Sequence, residues 1–390
     1  MTAIDPVELT QALIQRPSVT PVDAGALGVL EDALKPLGFD CHRLAYSQDG
    51  TPDVDNLYAR IGTTGPNLCF AGHTDVVPVG DEAAWTHPPF GAEIHDGVLF
   101  GRGAVDMKAA IACFASAAAR YLGEQKDTFT GSISFLITGD EEGPAINGTI
   151  KMLDWMGANG QSMDACIVGE PTNTDTLGET IKIGRRGSLT GYITQHGTQG
   201  HVAYPQHADN PVPKLVKLLS ALSAQPLDHG TEHFQPSNLE ITSVDVGNTA
   251  TNVIPNSARA VFNVRFNDTF SPETLKAHLT EVLKVAGDNF DLEFSVSGES
   301  FLTPPGLLSD VMSRAVTKIT GLTPELSTSG GTSDARFIKD HAAVAEFGLM
   351  NQTAHKVDEC ATVNSIRMLA DIYYEMIGGY FAETSKSTTS

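Results

Sequence analysis

Histidines and carboxylates stand just past several apolar segments of this chain. His73 and Asp75 close the stretch Leu68-Cys-Phe-Ala-Gly-His-Thr-Asp75. Asp106 lies in Gly101-Arg-Gly-Ala-Val-Asp-Met-Lys108, Glu141 and Glu142 in Asp140-Glu-Glu-Gly143, Glu170 before Pro171, and His355 in Asn351-Gln-Thr-Ala-His-Lys356. Two imidazoles with several carboxylates suit zinc or a similar divalent ion. One carboxylate bridging two ions would leave each ion a histidine and a further carboxylate, and a shared water would fall from its bulk pKa toward ~7. Adjacent glutamates are useful in such a site, because one can bind metal while the other moves a proton. Asp75 could take the second nitrogen of His73 and fix the tautomer that presents a lone pair to a metal. Taken singly, each residue has an ordinary reading: Asp106 could cap a helix, Glu141-Glu142 could be a solvated turn, and Glu170 could be plain surface. The argument rests on their coincidence at strand ends.

The elements that must position them alternate in kind. Asp5 and Pro6 open a helix carrying Leu9, Leu13 and Ile14, and a second helix covers 24–37. Strands are predicted over 57–61, 68–71, 131–138 and 163–168, with helices over 107–122 and 145–155. The run 68–71, bounded by Gly65-Pro66 and Gly72, suits a parallel strand covered on both faces. Ligands collect at the carboxyl ends of such strands. The expected fold class is α/β, a mostly parallel sheet flanked by helices. From residue 187 the order becomes strand 189–195, helix 211–222, strands 239–246 and 259–266, a helix opened by Ser271-Pro272-Glu273, and strand 292–296. That is βαββαβ, the ferredoxin-like arrangement, read as an inserted domain over 187–297. The first domain then comprises 1–186 and 298–383, resuming with a helix over 307–319, a strand over 342–345 and a helix over 363–381. The polar tail 384–390 is expected to be disordered.

Composition bounds the partners. The 390 residues allow two domains. A formal charge of −22 argues against nucleic acid. No N-terminal signal pattern and no window of about 18 apolar residues is present, so neither export nor a membrane partner is expected. The five cysteines, Cys41, Cys69, Cys113, Cys166 and Cys360, form no Cys-x-x-Cys pair, which suggests buried thiols in a reducing cytoplasm. No Gly-x-Ser-x-Gly elbow points to a serine hydrolase.

Gly72-His-Thr-Asp-Val-Val-Pro78, the Asp106 segment, Asp140-Glu-Glu-Gly143 and Val168-Gly-Glu-Pro-Thr172 resemble the signatures of the di-zinc aminoacylase and carboxypeptidase family, which hydrolyses amide bonds beside a carboxylate. The resemblance runs from about residue 5 to 380. It implies two zinc ions per subunit, with cobalt a possible substitute. His73 and Glu170 would hold one, Glu142 and His355 the other, and Asp106 both. Glu141 would be the general base and Asp75 the partner of His73. A cis peptide would follow Asp106. His201, in Gly200-His-Val-Ala-Tyr204, would reach the active site of the other subunit of a homodimer and donate to the oxyanion. On the residues alone, His201 reads as a surface loop histidine.

Lys182-Ile-Gly-Arg-Arg-Gly-Ser188, Gln199-Gly-His-Val-Ala-Tyr-Pro205, Asn252-Val-Ile-Pro255, Ser329-Gly-Gly-Thr-Ser-Asp334 and Asn351-Gln-Thr-Ala-His-Lys-Val357 narrow the resemblance to members that remove succinate from N-succinyl-LL-2,6-diaminoheptanedioate, a precursor of lysine and peptidoglycan. By that resemblance Lys182, Arg185, Ser188, Tyr204, Asn252, Arg265, Gly331, Thr332 and Asn351 would line the substrate site. A substrate with three carboxylates needs local cations in so acidic a chain. Sequence leaves open which of Arg185 and Arg186 points inward. Gly184 and Thr251 depart from the family pattern, which expects a polar Asn near the first and a second Asn at the other. A related acetylornithine deacetylase, a dipeptidase and a noncatalytic binding protein are the competing readings.

Overall fold

The computed structural model describes residues 3–125 and 128–387. They divide into two compact units. The first is formed by the residues up to Ile183, by Thr303–Ser327 and by the chain from Ser333 on. The second is Gly184–Leu302 with Thr328–Thr332.

An eight-stranded sheet organises the first unit. Its spatial order is Asp40–Gln48, Thr51–Ile61, Ser132–Thr138, Asn67–His73, Ala165–Val168, Ala343–Glu346, Thr180–Lys182 and Glu325–Ser327. Asn67–His73 lies between two parallel neighbours, and all seven of its residues are buried. Coverage on both faces is why the sequence there is a continuous apolar run. Phe70 stacks on Phe114 at 4.5 Å between ring centroids, and Phe135 and Tyr373 pack edge-on against Phe114. Phe114 belongs to the helix Lys108–Gln125, whose many alanines let it bury nearly its whole circumference. A Cβ at Gly72 would meet Met107 Cε at 2.2 Å, so Met107 would have to move to admit a side chain.

Parallel register aligns the strand ends. His73 lies opposite Thr138, Ala71 opposite Val168, and Val168 opposite Glu346. The segments carrying Glu141, Glu170 and His355 therefore leave the sheet from the same edge as His73.

Several local expectations shift. The edge strand Asp40–Gln48 escapes the sequence reading because its side chains show no clean apolar alternation; it is joined to Thr51–Ile61 through the Asp49-Gly50 turn. The helix expected over 145–155 is Thr149–Ala158. Asp140 explains the late start: its Oδ2 accepts the main-chain N–H groups of Ile146 and Asn147, both at 2.8 Å, and holds the preceding chain as a loop. The tail expected to be disordered from 384 is helical instead, within Val363–Ser387. There the hydroxyls of Thr384 and Ser385 donate back to the carbonyls of Tyr380 and Phe381. Residues 388–390 lie outside the described residues.

The second unit carries a four-stranded antiparallel sheet in the order Asn238–Asp245, Ser257–Phe266, Gly187–His196 and Phe290–Gly298. With helices Pro211–Leu222 and Pro272–Ala286 this is the ferredoxin-like arrangement. Leu189, Leu218, Phe262, Leu275 and Leu283 lie at its core. The unit extends past the expected 187–297 because Gly184–Arg185 pairs with Phe301–Leu302, and because Thr328 Oγ1 donates to the His233 carbonyl.

Candidate metal centre and the family of the chain

His73 ends its strand fully buried. Its Nδ1 lies 2.9 Å from the main-chain oxygen of Asp75. A carbonyl only accepts, so Nδ1 carries a proton and Nε2 is the nitrogen left to face a metal. The Asp75 carboxylate is farther from Nδ1, at 3.6 Å. It accepts instead from the amides of Glu141 and Glu142, at 3.3 and 3.0 Å. The expected partner of His73 is thus the right residue acting through its backbone, because the carboxylate is taken up by the glutamate turn.

His73 Nε2 faces Asp106 Oδ1 at 3.3 Å and Glu170 Oε1 at 3.7 Å. His355 Nε2 faces Asp106 Oδ2 at 3.2 Å and Glu142 Oε1 at 2.7 Å. The two oxygens of Asp106 therefore address different histidines. His73, Asp106 and Glu170 form one cluster of ligand-type atoms, and Asp106, Glu142 and His355 another. Glu141 groups with His73 and Glu142. His73 Nε2 and Asp106 Oδ1 are buried polar atoms without a hydrogen-bond partner, which fits a place for a cation. The peptide Asp106-Met107 is cis.

Electrostatics points the same way. Burial opposes charge on His73, but Asp106, Glu170 and Asp75 outweigh it and raise its pKa well above the ordinary value. Hydrogen bonds to Asp106 and Glu142 raise His355 to about 10. Burial raises Glu141 to about 8, with Asp334, Glu142 and Asp106 adding to it and His73 opposing. Burial and the neighbouring Asp106 and Glu141 carboxylates raise Glu170 well above the carboxylate range. Clustered buried carboxylates of this kind favour any cation placed among them.

Glu359 is a positioning residue that sequence inspection misses. Its Oε1 accepts from the amides of Val105 and Asp106 at 2.9 and 3.1 Å. Its Oε2 accepts from Gly103 N at 3.0 Å and Arg102 Nη1 at 2.7 Å. A fully buried Glu359 thereby holds the loop that presents Asp106. The available signal was a second acidic residue four positions after His355.

The expected substrate residues fall in both units. Lys182 ends the strand Thr180–Lys182, buried, with Nζ 3.4 Å from Ser327 Oγ, and Asn351 precedes His355 with its side chain exposed. In the second unit Arg185 is buried and donates to the Gly331 carbonyl at 2.7 Å, while Arg186 donates to Asn238 Oδ1 at 2.8 Å. Thr332 follows Gly331 in that segment. Ser188 and Arg265 are cross-strand partners. His201 pairs with Val253, and the Asn252 carbonyl accepts from Val202 N at 3.1 Å. The Tyr204 ring stands 5.7 Å from the His201 ring. Exposed His201 accepts from Ala203 N at Nδ1, so the neutral ring turns Nε2–H outward.

The chain matches the model of Peptidase family M20/M25/M40 over residues 69–378. It belongs to that family. Family relatives share most of its length. A protein of Rhodospirillum centenum named succinyl-diaminopimelate desuccinylase is 58% identical over 386 residues, covering 99% of this chain and 100% of the relative. One of the same name from Parvibaculum lavamentivorans is 57% identical over 382 residues, covering 97% and 96%. Among solved M20-type folds, aminopeptidase PepT of Bacillus cereus superposes with a TM-score of 0.76 at 22% identity, covering 97% of this chain and 98% of that one. A dinuclear metal-binding M20 peptidase of Bacillus subtilis superposes at 0.68 and 17%, covering 97% and 98%. Among the described residues, no helix is long and apolar enough to cross a membrane.

Proposed function

We propose that this M20-family chain hydrolyses N-succinyl-LL-2,6-diaminoheptanedioate to succinate and LL-2,6-diaminoheptanedioate, with two divalent ions, zinc by preference, at the clusters joined by Asp106. The observation that carries the chemistry is the division of Asp106, one oxygen toward His73 and the other toward His355. The substrate rests on the near-full-length identity to proteins named for that activity.

His73 and Glu170 would hold one ion and Glu142 and His355 the other, with Asp106 shared between them. When bound, the ions lower the pKa of a water and polarise the amide carbonyl. Glu141 takes the water's proton and delivers it to the departing amine. The water oxygen forms the new C–O bond to the carbonyl carbon, the C–N bond breaks, the acyl group leaves as succinate, and the nitrogen leaves as the protonated amine. Asp75 holds the Glu141-Glu142 turn through its amides. In the first unit Lys182 and Asn351, and in the second Arg185 and Arg265 with Ser188, Gly331 and Thr332, are the candidates for contacts to the substrate carboxylates. Arg185 is buried and Arg186 only partly so, which favours Arg185 as the inward guanidinium.

His201 donates to the oxyanion from a second copy of the chain, with Tyr204 and Asn252 beside it. Support comes from the second unit alone. His201 follows the far end of the strand Gly187–His196, whereas Ser188 and Arg265 lie at its start. Eight residues of strand separate Ser188 from His196, about 27 Å at the usual rise. One substrate molecule does not span that length, which supports a homodimer whose two copies supply the two sets. The buried thiols Cys69, Cys113 and Cys166 suit the cytoplasm.

The test is hydrolysis of N-succinyl-LL-2,6-diaminoheptanedioate beside N-acetylornithine, before and after chelation and zinc restoration. Zinc-dependent release of succinate with little action on acetylornithine is expected. Action on acetylornithine alone would keep the metal chemistry and overturn the substrate.

A further inference from the structure

A second group of metal-ligating side chains lies outside the Asp106 clusters. Strand Ile94–His95 turns at Asp96-Gly97, both at positive φ, into strand Val98–Phe100. An Asp-Gly pair with that geometry closes a tight hairpin. The hairpin sets His95 beside Glu93, whose main-chain oxygen accepts from Phe100 N at 2.9 Å. His87 arrives from a separate segment, anchored where Thr86 N and Oγ1 both donate to the Asp358 carboxylate at 2.7 Å. The two imidazoles stack with centroids 4.0 Å apart and planes 19° apart, and Phe100 backs His87 at 4.4 Å. Both address one oxygen: Glu93 Oε2 lies 3.2 Å from His87 Nδ1 and 2.7 Å from His95 Nε2.

We propose that His87, Glu93 and His95 form an additional binding site for a zinc-class transition-metal ion on the surface of the first unit. The three donor atoms lie within 4.8 Å of one another. Ligand atoms at about 2.0–2.2 Å from a tetrahedral zinc stand roughly 3.3 Å apart, close to the separations from Glu93 Oε2, and turning the imidazoles out of their near-parallel stack would aim both lone pairs at one ion. Two imidazoles with one carboxylate select zinc, nickel or copper over magnesium or calcium, which prefer all-oxygen shells. His95 and Glu93 are partly open to solvent, leaving the remaining positions to water. A net charge of −22 raises the local concentration of cations. The ion would staple the hairpin to the His87 segment. It is independent of the proposed catalysis, since none of the three residues belongs to the Asp106 clusters.

Equilibrium dialysis against Zn²⁺ alone tests this on the full chain, comparing the unsubstituted protein with His87→Ala, His95→Ala and Glu93→Gln. The expected result is one zinc fewer per chain in the histidine variants, with succinate release unchanged. Equal zinc content in all forms overturns the site. Because the readout is a difference, it stands or falls separately from the Asp106 clusters. A second measurement needs no substitution: titrating Zn²⁺ into ¹⁵N-histidine-labelled protein shifts His87 Nδ1 and His95 Nε2, and the absence of those shifts at saturating zinc overturns the proposal.

Discussion

His73 gives its Nδ1 proton to the main-chain oxygen of Asp75, while the carboxylate of the same aspartate accepts from the amides of Glu141 and Glu142. One residue thus fixes the imidazole tautomer with its backbone and the glutamate turn with its side chain. Asp75→Ala keeps the first contact and loses the second. Turnover is expected to fall about 10–100-fold while metal content stays at that of the unsubstituted protein. Loss of zinc together with activity would mean instead that the carboxylate orients His73.

Glu141→Ala removes the proposed proton carrier and none of the proposed ligands. Zinc content near normal with kcat lower by about 10²–10⁴ is expected. An unchanged kcat would remove Glu141 as the base.

His201→Ala should lower kcat by about 10²–10³ without changing the oligomeric state. Mixing it with Glu141→Ala gives a sharper readout. If His201 acts across a symmetric dimer, a mixed dimer regains one intact site, so random mixing restores roughly a quarter of full activity. Two inactive variants that stay inactive after subunit exchange would place His201 in its own chain's site or in none.

Arg185→Ala is expected to raise KM for the succinylated substrate more than for a neutral acyl analogue. Equal effects would show that the buried guanidinium serves the Gly331 segment, to which it already donates, and not the substrate.

Glu359→Ala leaves Arg102 buried and three loop amides without their acceptor. Denaturant unfolding should show a loss of about 3–5 kcal/mol, the cost of breaking a buried ion pair from one side. Metal affinity should fall as well, since the loop carrying Asp106 loses its anchor. A loss below about 1 kcal/mol, the level of a surface pair, would contradict this account.

Much of the architecture was legible from local pattern. The apolar run before His73, the proline-opened helices at Pro6 and Pro272, and the strand–helix order of 187–297 each carry their own short-range signal. Ligand-type residues at successive strand ends marked the candidate site without coordinates, because parallel strands must release their chain at one edge. What tertiary structure decided is non-local. Glu359 reaches the Asp106 loop across 253 residues of sequence. The choice between the backbone and side chain of Asp75 depends on where the Glu141-Glu142 turn comes to rest. His87 meets Glu93 and His95 only once Asp358 anchors the preceding Thr86. Sequence determined which residue types were available and which short segments formed. Strand register and the competition among buried polar groups for partners determined which atoms face one another, and neither is set by neighbours in the chain.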